Sequence, residues 1–284
     1  MKKVLLLGAT GMLGSEVYRT LRDKYDITVT ARDKSKLSLL GSTGKSLEFD
    51  AEKMMADYAV KKNEYFSEFV KQAGDVDYVI NAVGVIIPFA MQNPALTFFV
   101  NSALPHILAR QYGPRLIHTT TDCVYSDGKA PYNESSECSP TDIYGLSKSL
   151  GEPENCLTIR TSIVGPELSG HASLLGWFLN AAKVGTPISG YTNRMWNGIT
   201  THQFGIVYDK VMSKGEPMTG LYHVFTNPVS KYETLLAFQS RFKVNCSITP
   251  VVAQPAVDRR LSTLYSFNSW LKIPTFQKMV EEMP

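Results

Sequence analysis

Short apolar runs alternate with amphipathic segments through roughly the first 160 residues of the chain. The apolar runs predict buried strands at 2–7, 27–31, 46–49, 78–82, 115–119 and 156–160. Segments whose apolar residues recur every three or four positions predict helices at 11–22, 54–72, 94–112 and 143–150. Strands that alternate with helices at this spacing predict an α/β fold with a doubly wound parallel sheet.

The pattern loosens after Gly165 into glycine-rich and aromatic segments. We therefore expect a nucleotide-binding domain over 1–165 and a smaller C-terminal lobe, mainly for substrate, over 166–284. Some segments of the second half are expected to return to the first domain. Trp177 and Phe178 are expected in the core of an amphipathic helix.

Composition and charge exclude several classes of function. The chain has 284 residues, 44% apolar and 19% charged, with a net charge of +3 and no Lys/Arg block longer than two residues. This balance favours neither nucleic acid nor a membrane surface as a partner, and no stretch approaches the ~20 apolar residues needed to cross a bilayer. The four cysteines are scattered, so we expect free thiols, no metal site and a cytoplasmic protein.

A glycine motif follows the first predicted strand and opens the first predicted helix. Glycine allows a tight turn and close approach of the backbone to a pyrophosphate, which then lies at the positive end of the helix. The motif therefore predicts a Rossmann-type site for a dinucleotide, although a purely structural strand–turn–helix corner is the alternative. The expected contacts are Gly8, Thr10, Gly11, Met12, Leu13 and Gly14.

Residues at three other strand ends are candidates for contacts with the cofactor. Arg32 follows the second strand and could pair with a 2′-phosphate, which favours NADPH, but the adjacent Asp33 leaves NADH open. Asp50 could accept a hydrogen bond from adenine, or it could cap the next helix. Asn81, Ala82 and Val83 end the fourth strand with mostly small residues that let a cofactor pass close to the backbone.

Tyr144 and Lys148 are four residues apart in a predicted helix, so they share one face. An ammonium group there could stabilise a phenolate and make the tyrosine a usable acid or base. A second pair, Tyr58 and Lys62, has the same spacing and is interpreted as a solvated helix face. Tyr144 alone follows both the glycine motif and a polar strand end at Thr121-Asp122.

The order of the glycine motif, Asn81-Ala82, Thr120-Thr121-Asp122, Tyr144-x-x-x-Lys148 and Gly151-Glu152 resembles the extended short-chain dehydrogenase/reductases. The segments 121–125 and 144–152 resemble the dTDP-4-dehydrorhamnose reductases within them. The resemblance implies that Tyr144 donates a proton to a C4 carbonyl oxygen and that Thr121 orients it. It also implies that Lys148 lowers the tyrosine pKa and holds the nicotinamide ribose.

The same resemblance implies a nucleoside-diphosphate 4-keto-6-deoxy sugar as substrate, in the synthesis of an activated deoxysugar such as L-rhamnose. Asp122, Trp196 and Asn197 are expected to contact it, with Arg194 as a donor for the pyrophosphate. Asn101 matches an asparagine that organises a relay water, or it is purely structural. Monomers and homodimers both occur in the family.

Residue 123 distinguishes the reductases of this family from its dehydratases. Sugar-nucleotide dehydratases carry a glutamate after the aspartate, whereas this chain has Cys123, so reduction is favoured over elimination. A 4-epimerase with retained NAD uses the same tyrosine and lysine and stays open. A non-catalytic NADP-binding regulatory subunit of the same fold is the third reading.

Overall fold

A computed structural model describes residues 1–41, 43–126 and 128–284. In chain order its strands are β1 (Lys3–Leu7), β2 (Asp26–Ala31), β3 (Ser46–Glu48), β4 (Tyr78–Asn81), β5 (Leu116–Thr121), β6 (Leu157–Thr161), β7 (Ile163–Val164), β8 (Ile188–Tyr191), β9 (Arg194–Trp196), β10 (Ile199–Thr200), β11 (Gly220–His223), β12 (Val229–Ser230), β13 (Ile248–Val251) and β14 (Val257–Asp258). Seven of them form one parallel sheet in the order β11-β6-β5-β4-β1-β2-β3. The predicted parallel sheet is confirmed.

The helices are α1 (Met12–Leu21), α2 (Ala51–Ala59), α3 (Glu64–Ala73), α4 (Ile87–Ala90), α5 (Pro94–Phe98), α6 (Leu104–Tyr112), α7 (Ile143–Ser149), α8 (Leu174–Lys183), α9 (Thr201–Lys214), α10 (Lys231–Phe242), α11 (Phe267–Leu271) and α12 (Phe276–Glu281). They cover both faces of the sheet. Leu5 and Leu7 of β1 pack with residues of α3 and α6, whereas Val4 and Leu6 pack with residues of α1 and α9. Burial on both faces explains why the strand is apolar at every position after its first.

The predicted helix over 54–72 is wrong as one element, because the structure divides it into α2 and α3. Lys61 and Asn63 between them have φ angles of +57° and +56°. A left-handed residue cannot continue a right-handed helix, so the chain turns there. Asparagine tolerates this conformation better than most residues, and it was the available sequence signal.

The predicted helix over 94–112 is continuous but has an irregular centre. A wide π-helical turn over Phe99–Ala103 joins α5 to α6. Such turns are rare and occur often at functional sites. Asn101, one of the candidate site residues, lies within this turn.

Segments of the second half pack against the first half. β11 pairs with β6 at the edge of the main sheet, and α9 approaches α1 so closely that a Cβ at Gly205 would lie 2.7 Å from Thr20 Oγ1. In α8, Phe178 is buried as expected, whereas Trp177 is 42% exposed. The domain boundary at residue 165 stays a prediction.

The four cysteines are free thiols. Within the residues that the structure describes, each helix is too short or too polar to cross a bilayer. Over the same residues, no three His, Cys, Asp or Glu side chains come together as metal ligands.

Candidate active site

The glycine turn joins β1 to α1. Gly8 has a φ of +78°, and a Cβ at Gly14 would lie 2.2 Å from the Gly8 carbonyl oxygen. The turn therefore closes only without a side chain at position 14. Gly11 is the N-cap of α1, and no side chain caps the helix there. The first-turn amides of α1 thus fit an anionic group such as a pyrophosphate.

Thr10, Met12 and Leu13, the other predicted cofactor contacts at this turn, differ in how deeply they are buried. Thr10 and Met12 are half-buried at the turn. Leu13 is 7% exposed and packs into the core, so only its backbone faces the turn. Cofactor contacts by these three residues stay predictions.

Arg32 and Asp33 at the end of β2 have different environments. Asp33 Oδ1 accepts hydrogen bonds from the backbone N–H and the hydroxyl of Ser35, at 3.0 and 2.7 Å. These bonds lower the pKa of the Asp33 carboxyl and engage it in a local turn. Arg32 is exposed, and it forms no ion pair within residues 1–41, 43–126 and 128–284.

Asp50 caps α2, which is the structural alternative given for it. Its Oδ1 accepts from the backbone N–H groups of Glu52 and Lys53 at 2.9 and 3.3 Å. The carboxylate is therefore held at the end of β3. A hydrogen bond to adenine stays a prediction.

The end of β4 lies against the glycine turn. A Cβ at Gly8 would lie 3.0 Å from Val83 Cγ2 and 3.2 Å from the Ala82 carbonyl oxygen. Asn81 is buried, and its Oδ1 accepts from the Val83 N–H at 3.1 Å. Residues 82–84, here called the cofactor loop, are thus fixed beside the turn that would hold the pyrophosphate.

Lys148 reaches the cofactor loop from α7, here called the catalytic helix. Its Nζ donates to the Thr119 carbonyl at 3.2 Å, and a Cβ at Gly84 would lie 3.5 Å from the same Nζ. Burial lowers the pKa of Lys148 to about 8, although the negative charge of Glu152 acts in the opposite direction and raises it. The absence of a side chain at Gly84 leaves room for the ammonium group.

The structure brings Tyr144 together with Thr121. Burial and then the Cys123 thiol raise the pKa of Tyr144, whereas the nearby Thr121 hydroxyl lowers it, and the net direction is upward. A lowering of the tyrosine pKa by Lys148 stays a prediction. The phenol is protonated at neutral pH and can act as a proton donor.

The three consecutive threonines have different partners. Thr119 Oγ1 and the hydroxyl of Tyr208 lie 2.5 Å apart, whereas Thr120 Oγ1 is buried without a partner in the described part of the chain. Thr121, the third, is the one beside Tyr144. This is the position that the resemblance indicates.

Asp122 and Cys123 follow in a short helical turn. Asp122 is 3% exposed, and burial raises its pKa, while Arg259 and Lys231 lower it. Burial and the neighbouring carboxylate raise the pKa of Cys123 to about 12. Cys123 is therefore a neutral thiol at physiological pH.

Two cations near this turn were missed by the sequence analysis. Arg259 Nη1 donates to Cys123 Sγ at 3.3 Å, from a position 136 residues later. Lys231 Nζ lies 4.0 Å above the Trp196 ring, and burial lowers its pKa to about 8. The charges of Arg259 and Arg194 lower that pKa further, whereas Asp122 raises it. Arg194, Lys231 and Arg259 thus form a cluster of cations, and Lys231 and Arg259 lie close to the Asp122 carboxylate.

Trp196 and Asn197 do not present side chains for a ligand to touch. They are 2% and 3% exposed. Trp196 Nε1 donates to Thr234 Oγ1 at 3.0 Å, and Asn197 bonds both the N–H and the C=O of Leu261 at 2.8 Å. These contacts anchor the two segments that carry Lys231 and Arg259, so we revise the expected substrate contact to a supporting role.

Asn101 uses its amide inside the protein. Oδ1 accepts from the Val85 N–H at 2.9 Å, and Nδ2 donates to the Val85 carbonyl and to Ser147 Oγ at 2.9 and 3.0 Å. The π-helical turn is thereby tied to the chain beyond the cofactor loop and to the catalytic helix. These bonds correspond to the structural role, and a relay water stays a prediction.

Comparisons with known proteins agree with this arrangement. Residues 4–157 match the model of the NAD dependent epimerase/dehydratase family. The chain is 25% identical over 275 residues to the spore coat polysaccharide biosynthesis protein SpsK of Bacillus subtilis. That alignment covers 94% of this chain and 88% of that protein. It is 28% identical over 155 residues to a dTDP-4-dehydrorhamnose reductase of Burkholderia thailandensis, covering 53% and 44% of the two chains.

A solved structure has the same fold. The crystal structure of a dTDP-4-dehydrorhamnose reductase from Bacillus anthracis in complex with NADP aligns with a TM-score of 0.75 at 19% identity. The alignment covers 99% of this chain and 98% of that one. At this identity the likeness bears on the fold alone.

Proposed function

This chain belongs to the NAD dependent epimerase/dehydratase family, and from that premise we propose that it reduces the C4 keto group of a nucleoside-diphosphate 4-keto-6-deoxy sugar with NADPH. The observation that carries the proposal is the proximity of the Thr121 hydroxyl to Tyr144, beside a lysine whose Nζ lies at Gly84 of the cofactor loop. The product would be an activated deoxysugar of the L-rhamnose type.

The side chains divide the chemistry of reduction between them. NADPH, when bound, supplies the hydride to the carbonyl carbon. Tyr144 gives its phenolic proton to the carbonyl oxygen, and Thr121 holds that oxygen by a hydrogen bond as negative charge develops. Lys148, with a pKa of about 8, returns a proton towards the phenolate at neutral pH. One hydride and one proton convert the ketone to the alcohol.

Cys123 supports reduction without elimination. Loss of water from the sugar needs a further acid or base next to the reacting carbons. The residue at this position is a thiol whose pKa is about 12, so it exchanges no proton near neutral pH.

The three cations support a diphosphate-bearing substrate. Arg194, Lys231 and Arg259 together carry more positive charge than Asp122 balances. Partly buried charges without a counter-ion are unfavourable, and an anionic ligand compensates them. Arg259 carries the planar donor group that suits phosphate oxygens best.

Arg32 supports NADPH over NADH. An NAD-specific site needs a carboxylate that is free to bind the ribose diol. Asp33 is engaged by Ser35, whereas the Arg32 guanidinium is exposed and available to a 2′-phosphate.

Purified protein, NADPH and enzymatically generated dTDP- or UDP-linked 4-keto-6-deoxy sugars test the proposal by loss of nicotinamide absorbance. Tyr144→Phe should keep NADPH affinity and lose turnover by about 10²- to 10⁴-fold, the usual contribution of a positioned acid. Tyr58→Phe, from the second tyrosine–lysine pair, is the matched control and should stay active.

The alternatives give different results. Absence of NADPH oxidation with both sugar nucleotides would overturn the reductase proposal. Tightly retained NAD with interconversion of C4 epimers indicates an epimerase. NADPH binding without any turnover indicates the non-catalytic subunit.

A further inference from the structure

His118 is a fully buried histidine to which the reduction chemistry assigns no role. It lies within β5, with Asn81 of β4 and Thr158 of β6 as its neighbours in register. Its exposure is 0%. Buried polar groups in folded proteins are almost always held by specific partners, so the partners of this ring indicate what it does.

The hydrogen bond to Asn81 fixes the protonation of the ring. Asn81 Oδ1 accepts from Val83, so Nδ2 is the atom that faces His118 Nδ1, at 3.1 Å. An amide NH₂ only donates, and Nδ1 must therefore accept, which leaves the proton on Nε2. Burial and then the charge of Lys148 lower the pKa of His118 well below its usual value, so the ring is neutral.

The other side of the ring faces the end of the catalytic helix. The backbone of Gly151 lies close enough to raise the pKa of His118 against the effect of burial, while Nε2 has no hydrogen-bond partner among the described residues. The Gly151 N–H donates in turn to the Lys148 carbonyl at 3.0 Å. His118 thus lies between Asn81, which holds the cofactor loop, and the turn that ends the helix carrying Tyr144 and Lys148.

We propose that His118 is a positioning residue that joins the cofactor loop to the catalytic helix and so sets the distance between the bound nicotinamide and Tyr144. The inference rests on the proposed use of a nicotinamide cofactor. His118 acts through Asn81: its acceptor nitrogen keeps the amide turned so that Oδ1 holds the Val83 N–H. A ring that merely filled space would not select the orientation of the amide.

The neutral state of the ring is part of this role. A protonated His118 would direct an N–H at the Asn81 NH₂ group and would place a second positive charge near Lys148. Either effect would displace the cofactor loop or the lysine. The position therefore requires an acceptor of the size and reach of Nδ1.

Three substitutions separate positioning from packing. His118→Asn keeps an acceptor oxygen close to the place of Nδ1, His118→Gln moves the amide to the place of Nε2, and His118→Leu removes both. NADPH affinity is measured by nicotinamide fluorescence without sugar, so the readout does not depend on the proposed substrate. Thr158→Val, which removes a buried hydroxyl from the neighbouring strand, is the control for lost stability.

We expect His118→Leu to weaken NADPH binding about tenfold, the factor that corresponds to one lost hydrogen bond with a buried donor left unpaired. His118→Asn should bind NADPH nearly as tightly as wild type, and His118→Gln more weakly. Thr158→Val should lose stability and keep its affinity. Equal affinity of His118→Asn and His118→Gln would overturn the proposal even if His118→Leu failed to fold, and so would a folded His118→Leu with unchanged affinity.

Discussion

Glu152 and Arg160 form a bidentate ion pair just beyond the end of the catalytic helix. Arg160 Nε donates to Glu152 Oε1 at 3.0 Å, and Nη2 donates to Oε2 at 2.5 Å. The two side chains are 12% and 3% exposed. Glu152 lies four positions after Lys148 and opposes the effect of burial on the lysine pKa. The pair thus links β6 to the carboxylate that raises the pKa of Lys148.

Glu152→Gln should move the high-pH limb of activity to lower pH. Burial holds the pKa of Lys148 at about 8 even with the carboxylate present. Removing the negative charge disfavours the ammonium form further, so the lysine loses its proton at a lower pH. The proposed reduction uses the protonated lysine, and activity is therefore lost earlier as pH rises. The pH profile of kcat/KM, which reports the free enzyme, measures the shift.

Glu152→Asp is the control for packing, since it shortens the side chain and keeps the charge. It should leave the high-pH limb close to that of wild type. Glu152→Gln should also lower the free energy of unfolding, by about 3 kcal/mol, because it leaves Arg160 buried without its counter-ion. A limb that stays in place, or moves to higher pH, in a folded Glu152→Gln protein would contradict the assignment.

Arg259→Met should weaken sugar-nucleotide binding and leave NADPH binding intact. Arg259 donates to the Cys123 thiol and to the Tyr125 carbonyl oxygen, next to Asp122, where the sugar nucleotide is expected. Loss of a charged hydrogen bond to a phosphate oxygen costs roughly 2 kcal/mol, which corresponds to a KM increase of more than tenfold. The remaining KM should also depend less on salt. Steady-state kinetics at two ionic strengths check both effects.

Arg260→Met is the neighbouring control. Arg260 pairs with Asp258 at 2.6 Å, and the two side chains are 35% and 28% exposed. Pairs of this exposure contribute at most about 1 kcal/mol to stability. A KM that rises equally in both variants would show that the effect belongs to the segment and not to the charge of Arg259.

The sheet and the central residues of the site could be predicted because their signals are local. An apolar run followed by glycines identifies β1 and α1 without knowledge of the rest of the chain. Asn81 and Thr121 end the parallel strands β4 and β5, and the carboxyl ends of parallel strands meet at one edge of a sheet. Helical spacing then predicted that Lys148 and Tyr144 share one face of α7.

The cation cluster proposed to bind the substrate could not be predicted in this way. Arg259 approaches Cys123 across 136 positions of the chain, and no periodic pattern relates the two. Trp196 was expected to contact the substrate, but it ends β9 and its indole is covered by Lys231 and Phe276. Contacts between segments that are distant in sequence decide burial there, and composition does not report them.

Alanine substitutions at two glycines of the first turn should separate stability from cofactor binding. A Cβ at Gly14 would lie 2.2 Å from the Gly8 carbonyl oxygen and 2.9 Å from Ala9 Cα. Both neighbours are backbone, so Gly14→Ala must move the turn and should cost roughly 1–3 kcal/mol of unfolding free energy.

Gly11→Ala should instead keep its stability and lose affinity for NADPH. Its Cβ would lie 3.4 Å from the Gly8 carbonyl oxygen, an ordinary contact, and its φ of −79° suits alanine. The added methyl group would instead occupy space at the uncapped start of α1, where the pyrophosphate is expected. We therefore expect near-normal unfolding by urea and weaker NADPH binding by fluorescence titration. Normal NADPH affinity in a folded Gly11→Ala protein would show that the cofactor does not approach the backbone at this turn.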